Sequence, residues 1–331
     1  MKKILITESI HEIGIRELEK NFNVRVASNT SYEVLEREIS SADGVIVRSA
    51  NITKQLIERG EKLKVIARHG AGTDNVDVPY ATSKGIFVIN APEANILSVA
   101  EHTITVLGLL AKRLIIYNQA VRNNSFCIRN SYQSEELFGK ILGIVGIGRI
   151  GSLVCKKAQD AFGMKIIAFD PYKDNSQFIK IGAERIDSLE ELIEKSEFIS
   201  LHVPLTKETR NLIGKQELSI MSSKSFLLNI SRGGVVDEEA LYQALKYHKI
   251  AGAALDVFLE EPPKNNHPLF ELDNILLTPH IGGLTSQAVI RMAYCVAQGV
   301  TDALTEKIPE YLVNPNVIEV IRNDNELRRI K

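Results

Sequence analysis

The chain has 331 residues, 44% hydrophobic and 24% charged, with a formal net charge of −1. That describes a globular protein of about two domains, and the even spread of Lys and Arg excludes a basic nucleic-acid footprint. Cys127, Cys155 and Cys295 are odd in number and lack metal-ligand spacing, and the apolar run after Lys2 and Lys3 is too short for a signal peptide. The expectation is a reducing, cytoplasmic setting, without metal and away from membranes. The longest apolar stretch, 96–116, carries Glu101, His102, Lys112 and Arg113, which lipid would not accept.

In chain order, short β-branched runs alternate with helical patterns: KILIT then IGIRELEKN, FNVRVAS then YEVLEREIS, DGVIVRS then TKQLIERGE, then LKVIARHG and GIFVIN. The alternation predicts a parallel sheet with crossover helices. A nearly all-apolar helical pattern follows over 95–117. From Lys140 the alternation restarts with KILGIVGIG, MKIIAFD, FISLHVP, SFLLNIS, AGAALDVF and NILLTPH. Helices such as SLEELIEKS and DEEALYQALKYH separate these runs, the latter with Asp237 as its expected N-cap.

A second apolar helix is expected over 286–305. Helices apolar on most faces are buried on most faces, so these two are expected between the domains. The tail IPEYLVNPNVIEVI is expected to return to the first domain. The division read from the pattern is 1–97 with 286–331 as one domain and 98–285 as the other. The fold class is α/β, with two doubly wound parallel-sheet domains joined by two long helices.

Gly146, Gly148 and Gly151 form G-x-G-x-x-G directly after a strand and at the start of a helix. The first glycine permits a tight turn, the second lets backbone amides approach a pyrophosphate, and the third lets helix pack on strand. Asp170 follows at the end of the next strand, nineteen residues after Gly151, where a carboxylate can accept both ribose hydroxyls of an adenosine. An acid there repels a 2′-phosphate, so NAD is favoured over NADP.

Other strand ends deliver Arg232, Asp256, Glu261 and His280. An arginine, a carboxylate and a histidine beside a nicotinamide suggest hydride transfer to a 2-oxo acid. The guanidinium would grip the substrate carboxylate, histidine would exchange the proton, and the carboxylate would orient the ring.

The blocks GIVGIGRIG, HVPLTKETRNLI, LLNISRGGVVDEEAL, ALDVFLEEP and LLTPHIGG, in this order, with RHGAGTDNVD and NILSVAEHTI, give the chain its likeness over nearly its whole length. It resembles the D-isomer-specific 2-hydroxyacid dehydrogenase family, and within it the 3-phosphoglycerate dehydrogenase branch. The resemblance implies a flavodoxin-like substrate-binding domain, a Rossmann NAD-binding domain, and Arg232, Glu261 and His280 as the catalytic trio. It implies cofactor contacts at Arg149, Ile150, Val203, Pro204, Ile230, Ser231, Gly282 and Gly283, with Asp256 near the nicotinamide carboxamide. Substrate contacts are implied for Arg48, Ala71, Gly72 and Asn95, besides Arg232 and His280. It also implies a homodimer or larger assembly through the nucleotide-binding domains.

Two departures bear on these expectations. The chain ends at Lys331, so a C-terminal regulatory domain, and serine feedback through one, are not expected. The segment 123–136 has Phe126 where many relatives carry tryptophan, and leaves the role of Arg129 open.

The resemblance implies D-3-phosphoglycerate and 3-phosphohydroxypyruvate, the chemistry of serine biosynthesis. A phosphate would call for positive groups such as Arg48, Arg68 and Arg129, which the sequence equally allows as scaffold or surface arginines. Glyoxylate, hydroxypyruvate or another 2-oxo acid could use the same trio. A reading of a different class is an NAD-sensing, corepressor-like binding protein, since fold does not dictate function.

Overall fold

The computed structural model describes residues 1–130 and 134–330. The chain forms two compact units, Met1–Asn95 with Leu284–Lys331, and Ile96–Gly283. The first unit opens with β1 (Lys3–Ile6), α1 (Glu12–Glu19), β2 (Asn23–Val26), α2 (Tyr32–Ile39), β3 (Gly44–Val47), α3 (Lys54–Arg59), β4 (Val65–Arg68), α4 (Val78–Ser83) and β5 (Phe87–Ile89). All five strands are parallel, in the order β2-β1-β3-β4-β5. This is the flavodoxin-like doubly wound order. Every residue of β3 is buried, as a strand covered on both faces must be, whereas the edge strand β2 is largely exposed.

The second unit begins with α5 (Ile96–Ala111) and α6 (Leu114–Arg122). The apolar pattern over 95–117 predicts one helix, and the structure corrects it. Arg113 adopts φ 49° and ψ 34° between the two helices, a left-handed conformation that interrupts the hydrogen-bond ladder and leaves no trace in hydropathy. α5 buries Ala100, Val106, Leu107 and Ala111 in the core of this unit. In the segment 123–136, Arg129 is exposed and stacks over the Phe126 ring at 5.6 Å. Residues 131–133 of that segment lie outside the described residues.

The sheet of this unit is built from β6 (Ile141–Val145), α7 (Arg149–Phe162), β7 (Lys165–Phe169), α8 (Asn175–Lys180), β8 (Glu184–Arg185), α9 (Leu189–Lys195), β9 (Phe198–Leu201), α10 (Lys215–Ile220), β10 (Phe226–Asn229), α11 (Glu238–Lys246), β11 (Gly252–Leu255) and β12 (Ile275–Leu277). Its seven parallel strands run in the order β12-β11-β10-β9-β6-β7-β8. The winding reverses between β6 and β9, which pair directly, and ligands of such sheets bind at the carboxyl ends of the strands at that reversal. Asp237 caps α11, accepting from the Ala240 amide at 3.0 Å.

The chain then returns to the first unit with α12 (Ser286–Leu304) and α13 (Val317–Ile330). α12 buries Met292, Ala293, Val296 and Val300 against Ile4, Ile6, Leu18 and Ile89. Between these helices Asn314 is buried beside β5. It accepts from the Val88 amide at 2.8 Å, and donates to the Ile86 carbonyl at 3.0 Å and to Thr82 Oγ1 at 2.9 Å. Among the described residues no helix is long and apolar enough to cross a membrane.

Candidate active site

The turn after β6 is the first component. Gly146 has φ 91°, and a Cβ there would lie 2.6 Å from the His202 carbonyl oxygen, so a side chain is excluded by conformation and by space. A Cβ on Gly151 would lie 2.1 Å from the Gly146 carbonyl oxygen, so only glycine lets α7 come this close to the turn. Around Gly148 the space is open. Gly148 is the N-cap of the fourteen-residue α7 and offers no side-chain cap, so the positive end of the helix meets the turn without a capping side chain over it.

Asp170 follows β7. Its Oδ2 accepts from the Ile147 amide at 3.0 Å and its Oδ1 from the Tyr172 amide at 3.0 Å, which fixes the carboxylate beside the glycine turn with lone pairs to spare. An open turn, an uncapped helix start and a fixed carboxylate fit the pyrophosphate and adenosine ribose of a dinucleotide.

Further strand ends bring the other candidates. Val203 and the exposed Pro204 follow β9. After β10, Asn229 folds the turn, donating to the Arg232 carbonyl at 2.9 Å and accepting from the Ser231 amide and hydroxyl at 3.1 and 2.7 Å. Ile230 and Ser231 are thereby buried, while Arg232 is half-buried and donates to the Ser231 carbonyl at 2.7 Å.

Glu261 lies in the loop after β11, its Oε1 accepting from the Phe258 amide at 3.0 Å and its Oε2 standing 2.7 Å from His280 Nδ1. Burial pushes the Glu261 carboxyl up, but the hydrogen bonds from His280 and the Phe258 amide, with the charges of His280 and Arg232, outweigh it and hold the group below its ordinary value. His280 is exposed and has φ 53°, a conformation uncommon for a residue with a side chain. With Nδ1 committed to Glu261, the other ring nitrogen is left for a reacting group.

Asp256 is the buried member of this set, and its carboxylate is turned inward. It accepts from the Ile281 amide at 2.9 Å and from the Gly282 amide at 2.8 Å. Gly283 follows, half-buried.

In the first unit, Arg48 follows β3 and donates to the Ser9 carbonyl at 3.0 Å. The Glu8 carboxylate gathers the amides of Arg48, Ser49 and Ala50 at 3.2, 2.7 and 3.1 Å, shaping that turn. Arg68 ends β4, and the Ala71 carbonyl accepts from Asn90 at 2.6 Å, holding the loop that contains Gly72.

Among the described residues, the polar atoms of this unit that are buried without a hydrogen-bond partner include Asn95 Oδ1 and His69 Nε2. Such atoms call for a ligand or a strain account. Asn95 is among the expected substrate contacts; His69 is not. Burial, with the charges of Arg48 and Arg68, pushes His69 down to about 4, so its ring is neutral near pH 7. The signal for His69 was its place in RHGAGTDNVD, next to Arg68.

A seven-stranded doubly wound sheet with a glycine turn at its reversal and a carboxylate at the end of the next strand defines a dinucleotide-binding fold. Residues 104–282 match the family model described as D-isomer specific 2-hydroxyacid dehydrogenase, NAD binding domain. The chain is 45% identical, over 96% of its length, to a D-3-phosphoglycerate dehydrogenase of Methanocaldococcus jannaschii, and spans 60% of that protein. It is 39% identical, again over 96% of its length, to a glyoxylate reductase of Thermococcus litoralis, of which it spans 98%. The D-lactate dehydrogenase of Aquifex aeolicus complexed with NAD and lactic acid is similar in structure, with a TM-score of 0.86 and 32% identity over 94% of this chain and 98% of that one. The chain belongs to the D-isomer specific 2-hydroxyacid dehydrogenase family.

Proposed function

We propose that the protein is an NAD-dependent oxidoreductase interconverting a 2-oxo acid and a D-2-hydroxy acid, with 3-phosphohydroxypyruvate and D-3-phosphoglycerate as its pair. The observation that carries the reading is the 2.7 Å pairing of His280 with Glu261, with the charge of Arg232 felt at the same carboxylate. Bound NADH supplies the hydride for reduction of the oxo carbon. Arg232 grips the substrate carboxylate and stabilises the negative charge that grows on the oxo oxygen. His280 gives that oxygen its proton and takes it back in the reverse direction, while Glu261 holds the ring.

Gly146, Gly148, Arg149, Ile150, Gly151, Asp170, Val203, Pro204, Ile230, Ser231, Gly282 and Gly283 are the proposed NAD contacts, with Asp256 near the nicotinamide carboxamide. In the first unit, proposed as the substrate-binding domain, Arg48, Ala71, Gly72 and Asn95 are the proposed substrate contacts. The phosphorylated pair draws support from the 45% identity to a D-3-phosphoglycerate dehydrogenase and from the two arginines whose charges act on His69. A glyoxylate reductase matched over 98% of its length supports a smaller 2-oxo acid as the second reading.

The test is NADH oxidation with a panel of 2-oxo acids that includes 3-phosphohydroxypyruvate, glyoxylate and hydroxypyruvate. The phosphorylated acid is expected to give the highest kcat/KM, and a faster glyoxylate would install the second reading. Tight NADH binding without turnover on any acid would point instead to a regulatory protein.

We further propose a homodimer or larger assembly, since Leu114, Val121 and Phe126 of the second unit are exposed. A monomeric mass in light scattering with full activity would remove that idea. A cytoplasmic location is proposed on the three free cysteines.

A further inference from the structure

We infer that Thr278 is a positioning residue for the reaction, fixing through Asp256 the turn that presents His280; the inference rests on the function proposed above. Asp256 is 1% exposed, so its carboxylate has essentially no water to satisfy it. The structure supplies three donors instead. Thr278 Oγ1 donates to Oδ1 at 2.6 Å, the Ile281 amide donates to the same oxygen at 2.9 Å, and the Gly282 amide donates to Oδ2 at 2.8 Å. The main-chain carbonyl of Asp256 accepts from the His280 amide at 2.7 Å. All four donors lie within 278–282, the turn in which His280 is held at φ 53°.

A left-handed residue with a side chain persists only where its surroundings over-determine it, and Asp256 is that surrounding. Gly282 completes the fit, because a Cβ there would lie 2.9 Å from Asp256 Oδ2. His102, on α5, flanks the node with its Nε2 3.5 Å from Thr278 Oγ1 and 3.7 Å from Asp256 Oδ1.

Three of the donors are backbone amides, which only a proline would remove, so the Thr278 hydroxyl is the donor that a conservative substitution can adjust. Without it, Oδ1 keeps a single hydrogen bond and the carboxylate is free to turn, loosening its hold on the Ile281 and Gly282 amides. The His280 ring then drifts relative to the oxygen it must protonate. This role differs from a contact between Asp256 and the cofactor, because it predicts a loss centred on the chemical step and not one confined to cofactor binding.

The experiment compares Thr278→Val and Thr278→Ser in the full chain, using the best 2-oxo acid of the panel, NADH affinity by fluorescence, and amide hydrogen exchange at Ile281 and Gly282. Thr278→Val is expected to lower kcat by on the order of ten- to a hundred-fold, with KM nearly unchanged and any loss of NADH affinity through Gly282 much smaller than the loss in kcat. It should speed exchange at Ile281 and Gly282 while the amides of β11 stay protected, and Thr278→Ser should restore both kcat and slow exchange. Wild-type kcat in the Val variant, or a loss confined to NADH affinity, overturns the inference. If the unmodified protein turns over no 2-oxo acid, the proposed function fails, and the exchange rates still decide the anchor: equal exchange in wild type and Thr278→Val overturns it.

Discussion

His280 Nδ1 and Glu261 Oε2 lie 2.7 Å apart; the Glu261 side chain is held by the Phe258 amide of its own loop, and the His280 main-chain amide donates to the Asp256 carbonyl just past β11. The loops of Glu261 and His280 follow neighbouring parallel strands, β11 and β12. The pair is therefore set by sheet register, and the ring is oriented before any substrate arrives.

The first prediction concerns the charge in that pair. The Glu261 carboxyl is held below its ordinary value. Its charge is therefore fully present above about pH 4.3, the ordinary glutamate value, and is lost only as pH falls through the lowered one. Coupling between two groups is mutual, so Glu261→Gln should move the pH profile of kcat/KM for oxo-acid reduction toward lower pH, with activity reduced but measurable. His280→Ala should lower kcat by roughly 10²- to 10⁴-fold and leave NADH binding largely intact. Superimposable profiles for wild type and Glu261→Gln would show that the pair is not coupled.

Asp170 sets the second prediction, a strong preference for NADH over NADPH. Asp170→Ala removes the acceptor for the ribose hydroxyls and the repulsion toward a 2′-phosphate. It should weaken NADH by on the order of ten- to a hundred-fold, the loss of one or two charge-assisted hydrogen bonds, and so narrow the gap to NADPH. Equal kcat/KM with the two cofactors in the unmodified enzyme would count against this reading of Asp170.

For Arg232, the prediction turns on shape and not charge. Arg232→Lys keeps the cation and loses the planar fork, so KM for the oxo acid should rise and kcat should fall. Each change should be about tenfold or more, a charge-assisted hydrogen bond being the loss, while the dissociation constant for NADH stays near its original value. Unchanged kinetics would place Arg232 outside the substrate site.

His69 makes stability depend on pH. Its ring titrates at about 4 in the folded protein and near 6.5 in the unfolded chain. Between those values the unfolded state binds more protons, so stability falls as pH drops from about 6.5 toward 4 and levels off below. The contribution is up to about 3 kcal/mol for a histidine this buried. Urea unfolding at a series of pH values should show the acid-side decline in wild type and a shallower one in His69→Gln. Parallel curves for the two proteins would mean that the ring takes up its proton in the fold at the same pH as in the unfolded chain.

Much of this could be read from the residues alone. β3, β9, β10 and β11 are short apolar runs buried at every position, and hydropathy finds such strands directly. The glycine turn and Asp170 were legible because phosphate and ribose binding constrain residue type at fixed spacing. Arg113 was not legible, since a single left-handed residue inside an apolar stretch has no compositional signature. His69 and Asn229 were missed because their importance depends on partners: an arginine just past β3 and another at the end of β4 for one, the Arg232 carbonyl for the other. The inward turn of the Asp256 carboxylate is equally a property of the folded loop.

The staple formed by Asn314 bears on how the chain is made. Until that residue is delivered, the Val88 amide and the Ile86 carbonyl lack the partner that satisfies them in the finished protein, and the first sheet lacks the cover of α12. The segment 96–283 is contiguous and carries its whole sheet within itself. The first unit therefore has its full set of contacts only once Asn314 and α12 have been synthesised, after the whole of 96–283.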